Sequence, residues 1–459
     1  MESRGNFSGR LGFILAAAGS AVGLGNIWRF PYLAGQNGGA AFVVIYLACI
    51  FLLCFPVMVG EIAIGRSAGV DAYGSYTKLG NKKWGFLGLF GILAGILILS
   101  FYNVVAGWAF GYFIEISFGN LLENQDFTQF FGHYVNDISD NFWFSLSFMG
   151  ITALIVSQGI QKGIEAANKI MMPSLYLILL CLIIYAFTLP NALAGIQFYL
   201  VPDLSEINAQ TIFDASRQAF FSLSLGMGAL ITYGSYVKKN QNIISSAAII
   251  SLADSAVAFF SGLMIFPLVF SMNISPTEGP PLVFMVLPKV FHEMGPLLGR
   301  VVGGSFFLLL CFAALTSTIS LLEVPAAFLV DQKKYNRKKV VWVISLLIFL
   351  LGIPSMLSQG MIPGLNQLPF YKGKDFLTFI SDFCDISLVV GGALMCIFIS
   401  SKWKLHNLNH ELEQGFPKYT NAFIRKYLSV MIGYVCPVLL SILSVLVILD
   451  KFIGLEKIF

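Results

Sequence analysis

The chain has 459 residues, 57% of them hydrophobic and only 11% charged, with a mean hydropathy of +0.79. A soluble globular chain carries about twice that share of charge, so this composition requires a polytopic membrane protein whose standing partner is the lipid bilayer. The net charge of +4 is small, and the basic residues lie in short loops between apolar segments, which excludes a nucleic-acid-binding surface.

Hydrophobic windows predict eleven spans, at roughly 11–34, 40–65, 86–118, 142–159, 165–188, 212–237, 243–272, 296–330, 339–357, 376–400 and 427–449. Twenty of the 28 lysines and arginines fall in the N-terminal tail and in or at the edges of alternate loops, among them DQKKYNRKK from Asp331. The long loop from Gly119 to Asn141 has none and carries Glu123, Asp126, Asp137 and Asp140. By the positive-inside rule this is a multi-pass protein of the inner (plasma) membrane with a cytoplasmic N-terminus and, the span count being odd, an external C-terminus. No short apolar core with a small-residue cleavage site opens the chain, so the first segment is expected to be retained.

Span 1 contains GSAVGLGN, Gly19 to Asn26, where the bilayer centre should be. Gly19, Gly23 and Gly25 each cost about 1 kcal/mol of helix propensity, and an opened backbone at that depth is tolerable only when buried in protein against something polar. Span 6 repeats the pattern with SLSLGMG, Ser222 to Gly228. Paired glycine-interrupted spans in corresponding positions of two halves point to a secondary transporter with a midplane site for ions and a charged substrate. One transmembrane domain covers 1–459, with a first five-helix repeat over 11–188, a second and inverted one over 212–400, and an extra helix at 427–449.

Asp254 is the only charged residue between Asn242 and Met272, and an isolated carboxylate in a span is functional by default. The loop from Asn273 to Gly295, rich in Pro, Gly and apolar residues, is too interrupted to cross and should fold back onto the entrance. All seven cysteines lie in predicted spans without a CxxC pair, and the four histidines lie in loops, so no disulfide framework, metal centre or proton relay is indicated. No nucleophile and base converge at depth, which argues against an intramembrane enzyme.

RLGFILAAAGSAVGLGNIWRFPYLAGQNGGAAF, Arg10 to Phe42, resembles the first helix of the neurotransmitter:sodium symporter family, and FFSLSLGMGALITYGSY from Phe220, AALTSTIS from Ala313 and GEIAIGR from Gly60 match as well. The likeness covers spans 1 to 10 and is greatest to the bacterial amino-acid transporters with eleven helices. It implies an all-α fold of two inverted five-helix repeats with spans 1 and 6 unwound at mid-membrane. It also implies two sodium sites, the ions being co-substrates. The first would use the Ala21 carbonyl, Asn26, Ser222 and Asp254, where many relatives have Asn. The second would use carbonyls of Gly19, Val22 and Ala313 with the hydroxyls of Thr316 and Ser317. Since chloride-dependent members hold an anion near the first sodium, Asp254 is expected to supply that charge and make transport chloride-independent.

The same likeness assigns the substrate. The amides of Leu24 and Gly25, at the start of a half-helix, and Tyr102 would hold its carboxylate. Gly23 would leave room for that carboxylate, and carbonyls of Ala21, Phe221 and Ser222, with Ser224, would meet its ammonium. Ile98, Phe221, Met227, Ser317, Ser320 and Leu321 would line the side-chain pocket, favouring a hydrophobic or aromatic amino acid with tyrosine first. Arg29 and Asp382 would form the outer gate, with Asp385 three residues on along the same face. Arg4 and Asp331, with Tyr236, would form the inner gate. Glu61 is expected to bond the unwound backbone of span 6, and Gly163 and Pro173 to ease opening of span 5. Alternating access would rock spans 1, 2, 6 and 7 against 3, 4, 8 and 9. The alternatives are a proton-coupled permease of similar repeat and a non-transporting amino-acid sensor; the sequence sets no oligomeric state.

Overall fold

The computed structural model of the chain describes residues 5–123, 126–272, 282–371, 373–421 and 423–452. Among these, nine helices are long and apolar enough to cross a membrane without a break: Ala40–Ala68, Lys82–Ser117, Ile138–Ser157, Ile160–Ala186, Ile243–Ser271, Pro296–Lys333, Arg337–Leu357, Phe376–Trp403 and Phe423–Leu449. They are spans 2 to 5 and 7 to 11.

Span 1 is broken where its glycines fall. Its first half, Arg10–Ala21, stops at Val22, whose φ of −71° and ψ of 109° are extended, and the chain resumes as a wide turn, Gly25–Arg29, and a helix, Phe30–Gln36. The two halves meet at 47°. Span 6 breaks in the same way between Ala209–Ser222 and Ala229–Gly234. In that gap Ser224 takes a φ of 54° and Gly226 one of 81°. A Cβ on Gly226 would also stand 2.1 Å from the Leu388 carbonyl oxygen, so glycine is required there twice over, for its backbone angle and for the approach of span 10.

The exposed backbone of the two breaks finds partners inside the protein, as it must where no water is present. Gly226 N–H donates to Glu61 Oε1 at 2.7 Å, Gln218 Nε2 donates to the Gly25 carbonyl at 2.7 Å, and Ser224 Oγ donates to the Ser20 carbonyl at 2.7 Å. Each bond ties one broken helix to a neighbour, so the two breaks form a single unit.

Spans 3 and 8 are the inner wall and pack on one another along their length. In the apolar stretch of span 8, 78% of residues are buried, against 28% for span 11, most of which the rest of the chain leaves uncovered. The part of the 273–295 loop that is described folds back as expected, its helix Leu287–Glu293 lying over the spans. Phe284 reaches Tyr112 at 5.3 Å between ring centres and Trp28 at 6.5 Å, while 273–281 lie outside the described residues.

Candidate functional site

Asp254 is fully buried beside the break in span 1. Asn26 Nδ2 donates to its Oδ1 at 2.8 Å and to its backbone carbonyl at 3.1 Å. Ser222 Oγ lies 2.8 and 2.9 Å from its two carboxylate oxygens, and Tyr46 Oη donates to Oδ2 at 3.2 Å. A carboxylate this deep is normally matched by a cation, and here the described neighbours are only amide and hydroxyl groups. The Asn26 oxygen faces the other way and accepts from Gly23 N–H at 2.9 Å.

A small cavity of about 20 Å³ lies between the two breaks. Ala21, Gly23, Gly25, Phe221, Ser222 and Ser224, from the two breaks, line it together with Ile98, Tyr102, Met227, Ser317 and Leu321. Two further wall residues, Ser20 and Leu388, are absent from the sequence reading. Leu24 and Ser320 depart from that reading. Leu24 N–H donates to Tyr102 Oη at 2.8 Å and the residue borders a larger space, while the Ser320 hydroxyl is turned behind the wall, donating to the Ser317 carbonyl at 2.8 Å and accepting from Ser20 Oγ at 2.7 Å. The Gly23 position has no spare room, since a Cβ there would stand 2.5 Å from Ser317 Oγ and 2.7 Å from Tyr102 Oη.

A second oxygen cluster joins spans 1 and 8. Thr316 Oγ1 lies 3.0 Å from the Ala313 carbonyl, 3.1 Å from that of Phe312 and 3.2 Å from that of Val22, and Ser317 Oγ lies 3.4 Å from the Val22 and Ser20 carbonyls. Thr316 thus bonds its own helix and reaches across to the break as well. Gly19 completes the cluster: a Cβ on it would stand 3.2 Å from Thr316 Cβ and 2.0 Å from Asn168 Oδ1. That Asn168 oxygen is buried and has no hydrogen-bond partner among the described residues. The cluster carries no formal charge, in contrast to the one at Asp254.

Two ion-pair layers close the site. Arg29 binds Asp385 through both guanidinium nitrogens, Nη1 to Oδ1 at 2.9 Å, and its Cζ stands 4.7 Å over the Phe221 ring. This corrects the assignment of Asp382. Asp382 is held one turn away by Lys451, by Tyr371 Oη at 2.8 Å and by Lys374 Nζ at 3.6 Å, so it has no free face for Arg29. Beyond Arg29 a vestibule of about 580 Å³ opens, lined by Trp28, Tyr32, Arg217, Lys374, Asp382 and Lys451 among others.

The opposite side is sealed. Arg337 binds the fully buried Glu323, Nη1 to Oε1 at 3.1 Å, and Tyr236 Oη donates to the same oxygen at 2.7 Å. Arg337 also donates from Nε to the Val156 carbonyl at 3.1 Å, tying in span 4. Phe7 packs edge-on against Tyr233 at 5.8 Å, and Ser8 N–H donates to Glu165 Oε2 at 2.8 Å, pinning the wide turn Ile160–Glu165 that begins span 5. Of the expected Arg4–Asp331 pair, Arg4 lies outside the described residues; Asp331 Oδ2 accepts from Asp71 N–H at 2.9 Å.

Glu323, Arg337, Gln218 and Tyr46 were missed in the sequence. Glu323 carried a signal, being the only charged residue between Arg300 and Asp331. Tyr46 carried none, as one tyrosine among 17 in an apolar span.

A family model described as the sodium:neurotransmitter symporter family matches residues 4–131 and 125–454. The sodium-dependent transporter YhdH of Bacillus subtilis is 39% identical over 414 residues, 89% of this chain and 90% of the relative. A sodium-dependent transporter of Haemophilus influenzae is 36% identical over 374 residues, 78% of this chain and 81% of the relative. The solved structure of MhsT in complex with L-phenylalanine superimposes with a TM-score of 0.89 and 41% identity, covering 98% of this chain and 100% of that one. With a family match spanning nearly all the chain, two broken helices and a buried carboxylate facing them, this is a sodium-dependent membrane transporter and not an enzyme, and it belongs to the sodium:neurotransmitter symporter family.

Proposed function

We propose that the chain is a sodium-coupled symporter of a hydrophobic or aromatic amino acid. The observation that carries this reading is the cavity between the breaks, where Gly23 leaves no acid side chain and Ile98, Met227, Leu321 and Leu388 make an apolar end. A void of about 20 Å³ holds a water molecule and not an amino acid, so binding must widen it, and the flexible Met227 and the half-buried Phe221 are the walls free to move. The likeness to MhsT bound to L-phenylalanine supports an aromatic side chain, with tyrosine and phenylalanine the first choices.

One sodium ion sits at Asp254, Asn26, Ser222 and the Ala21 carbonyl, and its binding requires the Asn26 amide to flip from the orientation in which its oxygen accepts from Gly23 N–H; the substrate carboxylate completes that shell and couples the two. A second sits among Gly19, Val22, Ala313, Thr316 and Ser317. Because Asp254 supplies the negative charge, chloride is not required. The two halves, 11–188 and 212–400, are inverted repeats, each opening with its broken helix. The N-terminus is cytoplasmic by the placement of the basic loops, so the vestibule is external, and the Arg29–Asp385 and Glu323–Arg337 pairs are outer and inner gates. The vestibule reaches down to the Arg29–Asp385 pair, so that pair and Phe221 must part before substrate entering from the vestibule reaches the cavity.

The test is purified protein in liposomes with an inward sodium gradient and labelled tyrosine, phenylalanine, tryptophan, leucine and alanine. Sodium-driven accumulation with aromatic residues competing best is the expected result. Uptake driven by a proton gradient without sodium would establish a proton-coupled permease instead, and binding without accumulation a sensor.

A further inference from the structure

Span 11 lies outside the two halves, and yet its last turn ends in the vestibule. Val447 packs with Ile386 of span 10 and Phe213 of span 6 in a small apolar cluster separate from the main core. Four residues on, and so on the same helix face, Lys451 reaches Asp382 and is itself largely buried, its side chain 14% exposed. Asp382 and Asp385 are three residues apart on one face of span 10, so Arg29 has two carboxylates within one helical turn. It bonds only the inner one.

We infer that Lys451 is a positioning residue of the gate: by engaging Asp382 it removes the competing carboxylate and leaves Arg29 a single partner, Asp385, directly above Phe221. Three features converge on this. The apolar cluster one turn below sets the lysine at the height of Asp382 whether or not the ion pair forms. Lys374, the other cation near Asp382, is 3.6 Å away with a side chain 44% exposed, and is a poor substitute. Arg217, also on the vestibule wall, is engaged by Asp214 and so does not take the place of Lys451. The extra helix thereby acts on the gate without touching the substrate.

The experiment is a double-mutant cycle on thermal stability of the purified full chain in detergent with sodium and no amino acid, so that it stays informative if the substrate assignment is wrong. In the native background Arg29→Gln and Asp385→Asn are expected to be non-additive, and Arg29→Gln and Asp382→Asn additive. In Lys451→Met, a coupling between Arg29 and Asp382 should appear, and Lys451→Arg should behave as the native chain. A lysine that merely stabilises the fold would lower the melting temperature without creating that new coupling, and this outcome overturns the inference. If Lys451→Met alone does not survive purification, Lys451→Met placed on Asp382→Asn is expected to restore it; equal loss in both backgrounds is again contrary.

Discussion

The Asp254 carboxylate stands 2.8 Å from the amide nitrogen of Asn26, joining the middle of span 7 to the gap in span 1 at a depth where neither group reaches water. A charge so placed costs several kcal/mol unless something positive shares the site, which makes a bound cation the natural completion of the arrangement.

Asp254→Asn keeps the shape and removes the charge. A charge-assisted contact is worth roughly 1.5–3 kcal/mol, so the sodium concentration for half-maximal uptake should rise about 10- to 100-fold. Replacing chloride by gluconate should leave native uptake unchanged and lower that of the variant; a large fall in the native protein would remove Asp254 from the role of balancing charge.

Gly23→Ala puts a methyl group within 2.5 Å of Ser317 Oγ and 2.7 Å of Tyr102 Oη, so one or both of these cavity-wall hydroxyls must shift. Equilibrium binding of labelled phenylalanine or tyrosine should weaken more than tenfold. Gly150→Ala, where a Cβ would meet nothing within 4 Å, serves as the control and should bind normally.

Asp385→Asn breaks the pair over Phe221, whereas Asp382→Asn leaves Arg29 with its partner. Uptake should fall tenfold or more in the first and less than twofold in the second. The reverse order would reinstate Asp382 as the gate.

On the sealed side, Glu323→Ala leaves Arg337 without its carboxylate and Tyr236 without its acceptor. Removing one member of a buried pair costs about 3–5 kcal/mol, and the partial exposure of Arg337, 19% at the side chain, places the loss at about 3 kcal/mol in a chemical-denaturation measurement. Tyr236→Phe removes the hydroxyl that donates to Glu323 and should cost about 1 kcal/mol.

What the amino-acid sequence determined by itself is everything set by local cost. Eleven apolar stretches were expected to cross, of which nine are unbroken helices long enough to do so and a tenth is the bent pair of span 1, and the glycines of spans 1 and 6 fall where the helices open, because helix propensity and hydrophobic length act within one segment. Asp254 was legible for the same reason: a lone carboxylate in lipid is conspicuous without knowing its neighbours. Only the tertiary structure decided who meets whom. Asp382 and Asp385 share a helix face and differ by one turn, and the choice between them fell to Lys451, which arrives from a helix more than sixty residues later in the chain. Tyr46 and Gln218 became part of the site, and Ser320 was turned away from it, through packing between segments far apart in sequence, where a distance of one or two ångströms separates a ligand from a bystander.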